Sequence, residues 1–235
     1  MRELLLAGTR RVRELWLSTE QEPAPILEDI VDLARELRVP TREVSRGRLD
    51  AAARTDAPQG VLAQAASLPE AELDELARRG RNNAHPFLLC CDGITDPGNL
   101  GALLRSAECS GVSGVVLPRH RAVHITPTVA KAAAGAIEHL PMTLASGLPT
   151  ALLRLSELGV NVVGLDEAAD RTLWDLDVGD GPVALVLGAE GSGLGRLVRQ
   201  RCDRIVGIPM RGRLSSLNVA TAGALACFEI ARSRG

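Results

Sequence analysis

Tyrosine is absent from this chain of 235 residues, and phenylalanine and tryptophan number two each. Four rings (Trp16, Phe87, Trp174 and Phe228) are too few for a single-strand binder built on stacked bases, which needs several aromatic faces. Lysine is almost absent as well: Lys131 is the only one, and arginine carries the rest of the positive charge. With 27 basic against 29 acidic residues the net charge is −2, so no overall field advertises a polyanionic partner. Arginines do cluster, at Arg10–Arg11–Arg13, Arg78–Arg79–Arg81, Arg119–Arg121 and Arg196–Arg199–Arg201–Arg204. Each cluster reads equally as a set of phosphate contacts or as a solvated face, and a GC-rich genome explains the arginine bias as readily as phosphate binding does.

The five cysteines lack metal or disulfide spacing. Cys90 and Cys91 are neighbours in an apolar run, which sends their side chains to opposite faces of a strand. Cys109, Cys202 and Cys227 lie in apolar or helical surroundings, so five reduced thiols are expected. His120 and His124 stand four apart with no third ligand nearby, and no metal is expected. MRELLLAGTRR lacks an apolar run of signal-peptide length, and no segment approaches the roughly 18 apolar residues of a membrane span. The expectation is a soluble, cytoplasmic protein with no membrane partner.

What is present is apolar residue in quantity, 46% of the chain, enough for a sizeable core. From Val12 to Ser67 the pattern alternates. VRELWLS reads as a strand, and ILEDIVDLARELR as a helix with Ile26, Ile30, Leu33 and Leu37 at helical spacing. A short strand near Arg42–Ser45, a small helix in RLDAAA and a strand in GVLAQAA complete a small α/β unit, residues 1–78. Residues 79–86, rich in Gly, Asn and Pro, read as a linker. From residue 87 short Val/Ile/Leu runs (FLLCC, GVVLP, HLPMTL, NVVGLD, PVALVLG, RIVGIPM) alternate with helices. That pattern predicts an α/β fold with a mostly parallel sheet buried on both faces. Ligands in such sheets bind beyond the carboxyl ends of the strands, where Gly- and Asn-rich segments follow directly here.

Three such segments carry the candidate chemistry. In DGITDPGNLGALLRSAECSG, a turn at Asp96-Pro97-Gly98 leads into a helix bearing Asn99 and Arg105, with Gly101 allowing close approach of another backbone. In LVLGAEGSGLG, glycines 188, 191, 193 and 195 permit a tight loop. Neither a phosphate-loop nor a dinucleotide spelling is met, and Glu190 inside the loop would repel a phosphate, so a neutral or cationic ligand fits better. In IVGIPMRGRLSSLNVATAGALACFEIARSRG, Arg211 and Arg213 follow a strand, and Ser215 or Ser216 caps the final helix with Asn218 in its first turn. Taken singly, each segment reads as readily as a salt-bridged arginine, a glycine turn or a helix cap.

In this order and spelling they resemble the three signature motifs of the SpoU/TrmH family of RNA 2′-O-ribose methyltransferases, in the SPOUT superfamily. The matching residues are Asn99-x-Gly101-x-x-x-Arg105, Leu187-Gly188-Ala189-Glu190-Gly191-x-Gly193-Leu194, and Ile208-Pro209-Met210 followed by Ser216-Leu217-Asn218-Val219. ITPTVAKAAAGAIEHLPM further resembles the RlmB-like subgroup, which methylates a guanosine of 23S ribosomal RNA.

The resemblance implies an α/β fold with a C-terminal trefoil knot over 87–235, and a smaller N-terminal RNA-binding domain like ribosomal protein L30e. It implies S-adenosyl-L-methionine as cofactor, RNA as substrate and a homodimer. Asn99, Arg105, Glu190, Ser216 and Asn218 are implied as catalytic, and Leu187, Gly188, Gly191, Ile208, Met210 and Leu217 as cofactor-binding. The family assigns proton removal to the residue matching Arg105, yet a free guanidinium, with a pKa above about 12, is scarcely a base. Either an RNA phosphate assists, or the arginine stabilises the developing alkoxide; the second is physically preferable. Two departures stand out: the family's usual opening helix is missing, and Ala220 replaces a common serine. Alternative readings are a tRNA ribose methyltransferase, an rRNA-methylating resistance enzyme, or a non-catalytic RNA-binding assembly factor.

Overall fold

The computed structural model describes residues 1–55, 58–120 and 122–234. Arg121, read above with Arg119 as a cluster, lies outside the described residues. A short helix, α1 (Arg2–Ala7, RELLLA), precedes the first strand. Its Leu4 and Leu5 are buried, and that burial rather than length holds so short a helix.

β1 (Val12–Ser18), α2 (Pro25–Glu36), β2 (Thr41–Val44), α3 (Arg46–Ala53) and β3 (Val61–Ala65) follow as the periodicity predicts. The strands form a sheet in the order β2-β1-β3, with β1 parallel to β2 and antiparallel to β3. α1 and α2 close one face over Leu5, Leu15, Ile30 and Ala34, while Trp16, Val44 and Leu49 pack on the other.

α4 (Leu73–Leu76) is one turn long. Its Leu76 and the following Ala77 pack with Leu88, Leu152 and Val186 of the larger unit. Residues 70–77, read from the sequence with the first unit, therefore lie against the second.

The larger unit runs β4 (Phe87–Cys91), α5 (Pro97–Cys109), β5 (Gly114–Pro118), α6 (Pro127–Ala132), β6 (Met142–Ala145), α7 (Leu148–Glu157), β7 (Asn161–Leu165), β8 (Arg171–Thr172), β9 (Val183–Leu187), α8 (Arg196–Arg199), β10 (Arg204–Gly207) and α9 (Val219–Ser233). Its sheet has seven strands in the order β6-β5-β4-β9-β7-β10-β8, all parallel. β4 and β9 are buried at every position, as central parallel strands must be. Cys91 faces the side covered by α5, α6 and α9, and Cys90 the side covered by α4, α7 and α8. That is the opposite-face arrangement expected of neighbours on a strand.

Register fixes where the site sits. Cys91 pairs with Leu187, Leu187 with Leu165, and Leu165 with Val206. Four parallel strands thus end in line, and Asp92, Gly188, Asp166 and Gly207 leave the sheet side by side, within roughly 15 Å at strand spacing.

Candidate functional site: an amide relay beneath a glycine loop

Asp96 ends the turn after β4 and caps α5, its Oδ1 accepting the Asn99 N–H at 2.6 Å, with Pro97 at the first helical position. Asn99 is thereby held in the first turn with its side chain toward the sheet edge. Gly101, two residues on and so on the opposite side of the helix, lies where a Cβ would sit 2.4 Å from the Ala132 Cβ and 2.8 Å from the Val129 carbonyl oxygen. The close approach expected there is real: it seats α5 on α6.

The final helix is capped differently from the expectation. Asn218, not Ser215 or Ser216, is its N-cap, and its Oδ1 accepts from the N–H groups of Ala220 at 2.9 Å and Thr221 at 3.3 Å. All three residues are good caps. The position is decided by packing, because Ala220 is the first residue of the run buried against the core. Ser216 and Leu217 precede the helix and are exposed.

This cap orders the site. With Oδ1 committed to the helix, Asn218 turns its Nδ2 outward and donates to Asn99 Oδ1 at 2.9 Å. Asn99 must then present its own Nδ2, which donates to Glu190 Oε1. One residue from each motif joins a single chain of hydrogen bonds whose donor direction is set by a helix terminus. The other carboxylate oxygen of Glu190 has no partner among the described residues.

The loop carrying Glu190 is closed by paired bonds between Ala189 and Gly193, at 3.1 and 3.0 Å. Gly191 and Gly193 take positive φ, and a Cβ on Gly188 would sit 2.1 Å from the Gly193 carbonyl carbon. Two carboxylates brace the loop. Asp92 Oδ2 accepts from Gly195 N–H at 2.8 Å, and Asp166 pairs with Arg199 at 2.8 Å. Burial pushes the Asp166 carboxyl up, but N–H groups of Ala168 and Leu194 and the Arg199 guanidinium outweigh it, so it lies below its ordinary value. The sequence reading passed over Asp166. Its signal was available, an acidic residue at the end of an apolar strand directly before a turn.

Arg105 stands apart from this relay. Six residues beyond Asn99, it projects about 120° away and about 9 Å along the axis of α5. It is exposed, in a stripe with Ala102 and Cys109, and makes no hydrogen bond or ion pair among the described residues. The bonded partner of Glu190, and of Asn99, is therefore the other relay member rather than the arginine.

The residues expected to hold a cofactor are all neutral. Leu187 is buried and Ile208 packs against the same cluster. Gly188 is buried, Gly191 is exposed, and Met210 and Leu217 are each 38% exposed. Apolar side chains and close backbone, with the carboxylates of Glu190, Asp92 and Asp166 nearby and no cation among the expected contacts, suit an adenosine bearing a sulfonium.

Several cluster arginines are spent elsewhere: Arg10 on Glu138, Arg78 on Asp74, Arg79 on Glu75, Arg81 on Glu108 and Arg119 on Glu70. Four of the five cysteines are inert by burial, which holds the Cys90 and Cys91 thiols far above their ordinary range and pushes Cys202 and Cys227 up to about 12, while Cys109 is exposed.

Both units of the chain are similar to known proteins. Residues 86–228 match the model of the SpoU rRNA Methylase family, and residues 2–71 that of the RNA 2′-O ribose methyltransferase substrate-binding domain. The chain is 39% identical to the putative TrmH family tRNA/rRNA methyltransferase YacO of Bacillus subtilis, covering 97% of this chain and 91% of that one. It is 40% identical to the 23S rRNA (guanosine-2′-O-)-methyltransferase RlmB of Pseudomonas aeruginosa, covering 98% and 92%. The SpoU methyltransferase AviRb of Streptomyces viridochromogenes, solved with its cofactor AdoMet, superposes with a TM-score of 0.82 at 28% identity, covering 99% and 86%. The chain belongs to the SpoU rRNA methylase family.

Proposed function

We infer that this protein methylates a ribose 2′-hydroxyl of RNA, a guanosine of 23S ribosomal RNA being the target favoured by its similarity to RlmB proteins over nearly the whole chain. The observation that carries the reading is the relay from Asn218 through Asn99 to Glu190, which ties all three motif segments to one edge of the sheet.

S-adenosyl-L-methionine, when bound by Leu187, Gly188, Gly191, Ile208, Met210 and Leu217, supplies the methyl group. Everything else falls to the chain. The hydroxyl is a poor nucleophile and must be oriented and relieved of its proton. Asn99 keeps one amide hydrogen and Glu190 one oxygen uncommitted within the relay, a donor and an acceptor for the ribose or the cofactor. Arg105 contributes a fixed positive charge to the oxygen as it becomes anionic, and Ser216 adds a hydroxyl at the rim. Arg211 and Arg213, exposed and unpaired among the described residues, follow Met210 and suit RNA phosphates.

Arg105 reaches the reacting cleft in a homodimer. α9 leaves Leu225 and Phe228 exposed at 41% and 51%, in line with Thr221 and Arg232. The Arg105 stripe of α5 lies on the neighbouring helix, and a two-fold pairing would bury both. The trefoil knot and a cytoplasmic location accompany this reading. So does a two-unit division, read from the sequence as an RNA-docking domain over 1–78, a linker at 79–86 and a methyltransferase domain over 87–235, with residues 70–77 of the first span packed on the larger unit.

Ribose-methylation mapping of 23S ribosomal RNA from cells with and without the gene tests the proposal. One guanosine should lose its methyl group in the deletion strain. An unchanged 23S map with a methyl group lost from a tRNA would move the substrate to tRNA. No ribose change in any RNA would refute the activity.

A further inference from the structure

The segment GAIEHLPM, residues 135–142, belongs to neither the relay nor the cofactor loops. It forms a short 3-10 turn, Ala136–Glu138, between α6 and β6. Glu138 is 5% exposed, an unusual place for a carboxylate. Its partner comes from the other unit. Arg10, in the turn before β1, grips both oxygens, Nη2 to Oε1 at 2.5 Å and Nε to Oε2 at 3.0 Å, while its Nη1 donates to the Ala66 carbonyl at 3.1 Å. Thr9 Oγ donates to the same carboxylate at 3.3 Å.

The neighbouring residues repeat the theme. His139 Nε2 meets Glu3 Oε2 of α1 at 3.0 Å. Gly135 has a φ of +97°, and a Cβ there would sit 2.5 Å from the Glu3 side chain, so α1 lies directly on this turn. Where the chain leaves the first unit it adds to the edge of the large sheet: Glu70 bridges Met142, and Ala71 N–H donates to the Met142 carbonyl at 2.8 Å. In the linker, Arg81 donates to Glu108 Oε1 at the end of α5 at 3.0 Å and to the His139 carbonyl at 3.1 Å.

We propose that residues 135–142 are the seat of the N-terminal unit, with the part-buried Arg10–Glu138 pair as its pin, and that this seat holds the RNA-docking unit at a fixed distance from the methyl-transfer cleft. Glu138 is then a positioning residue for RNA, acting through Arg10 and touching neither cofactor nor ribose. A buried ion pair is a weak source of net stability but a strong source of geometry, because a misplaced partner leaves a charge unpaired in the interior. The bidentate fork of arginine adds an angular constraint that a lysine would lack. The proposal rests on the N-terminal unit being the RNA-docking one.

The test uses the full chain and four variants: Glu138→Gln, which keeps shape and one acceptor, Arg10→Glu, Glu138→Arg, and the exchanged pair Arg10→Glu with Glu138→Arg. The three single variants should raise KM for ribosomal RNA, about tenfold for the charge reversals and less for Glu138→Gln. In all three, kcat should stay within about twofold and S-adenosylmethionine binding should be unchanged, which also reports that the methyltransferase unit is folded. Trypsin should cut faster at Arg78, Arg79 and Arg81, and the exchanged pair should recover most of both losses. Wild-type KM and wild-type proteolysis in all three single variants would overturn the proposal, as would a fall in kcat with KM unchanged. If the unmodified protein transfers no methyl group, the functional reading fails, while faster cleavage in the single variants still supports the seat and unchanged cleavage overturns it.

Discussion

An amide side chain presents its oxygen or its nitrogen, and nothing in Asn218 alone decides which. The N-terminus of α9 decides: two backbone N–H groups claim the oxygen, and the nitrogen is left for Asn99. Two substitutions therefore separate cap from relay. Asn218→Asp keeps the cap, so the melting temperature should hold, but it replaces a donor with an acceptor facing Asn99 and should lower kcat roughly 100-fold. Asn218→Ala loses both functions and should also cost about 1 kcal/mol of stability. Calorimetry beside single-turnover kinetics checks the pair, and equal kcat in wild type and Asn218→Asp would dismiss the relay. Arg105 gives a different expectation. Arg105→Ala should lower turnover by about 1000-fold with cofactor affinity unchanged, and Arg105→Lys should recover little, since a point charge does not reproduce a planar fork. Cys109, the one cysteine with an exposed side chain, should be the only thiol of five that reacts promptly with a disulfide reagent in the native protein.

At the scale of elements, the glycine loop depends on backbone contact from within and carboxylates from outside. Gly188→Ala places a methyl group 2.1 Å from the Gly193 carbonyl carbon, so the loop must open. Cofactor affinity should fall at least tenfold, about 1.4 kcal/mol, by calorimetric titration. Asp166 lies below its ordinary pKa in the folded protein, so its contribution is present above the unfolded value of about 3.9 and is lost as pH falls through the folded one. Asp166→Asn should accordingly melt below wild type at pH 7, with the gap closing under about pH 4. Melting curves across that range check the sign.

Elements were also where sequence was most and least legible. Central strands announce themselves as unbroken apolar runs, and β4, β5, β6, β7, β9 and β10 followed, because burial on both faces leaves no other composition, whereas the two-residue edge strand β8, Arg171–Thr172, carries no such run. Helix starts were harder. Ser215, Ser216 and Asn218 compete as caps on equal chemistry, and only the buried Ala220 breaks the tie. α1 and α4 are too short for periodicity and exist through tertiary burial of Leu4, Leu5 and Leu76. The motif spellings identified Asn99, Glu190 and Asn218 without revealing that they bond to one another. Asp166 belongs to no motif spelling; its place after an apolar strand is legible in the sequence, but its role beside Gly188 follows only from the register that pairs Leu165 with Leu187.

For the whole molecule, the parallel order β4-β9-β7-β10 brings distant segments to one edge, and the proposed dimer would supply the rest of the site. Phe228→Asp should shift the protein from dimer to monomer in analytical ultracentrifugation and abolish turnover with it. An active monomer would place Arg105 outside the chemistry of a shared site.

The most direct test follows a labelled methyl group into ribosomal RNA and then hydrolyses the product with alkali. A 2′-O-methyl group blocks cleavage at its own phosphodiester, because the neighbouring hydroxyl is the internal nucleophile. The label should appear in an alkali-stable dinucleotide with guanosine on its 5′ side, and Arg105→Ala should remove it. Label released in mononucleotides would mean methylation of a base, and would contradict a cleft built to act on ribose.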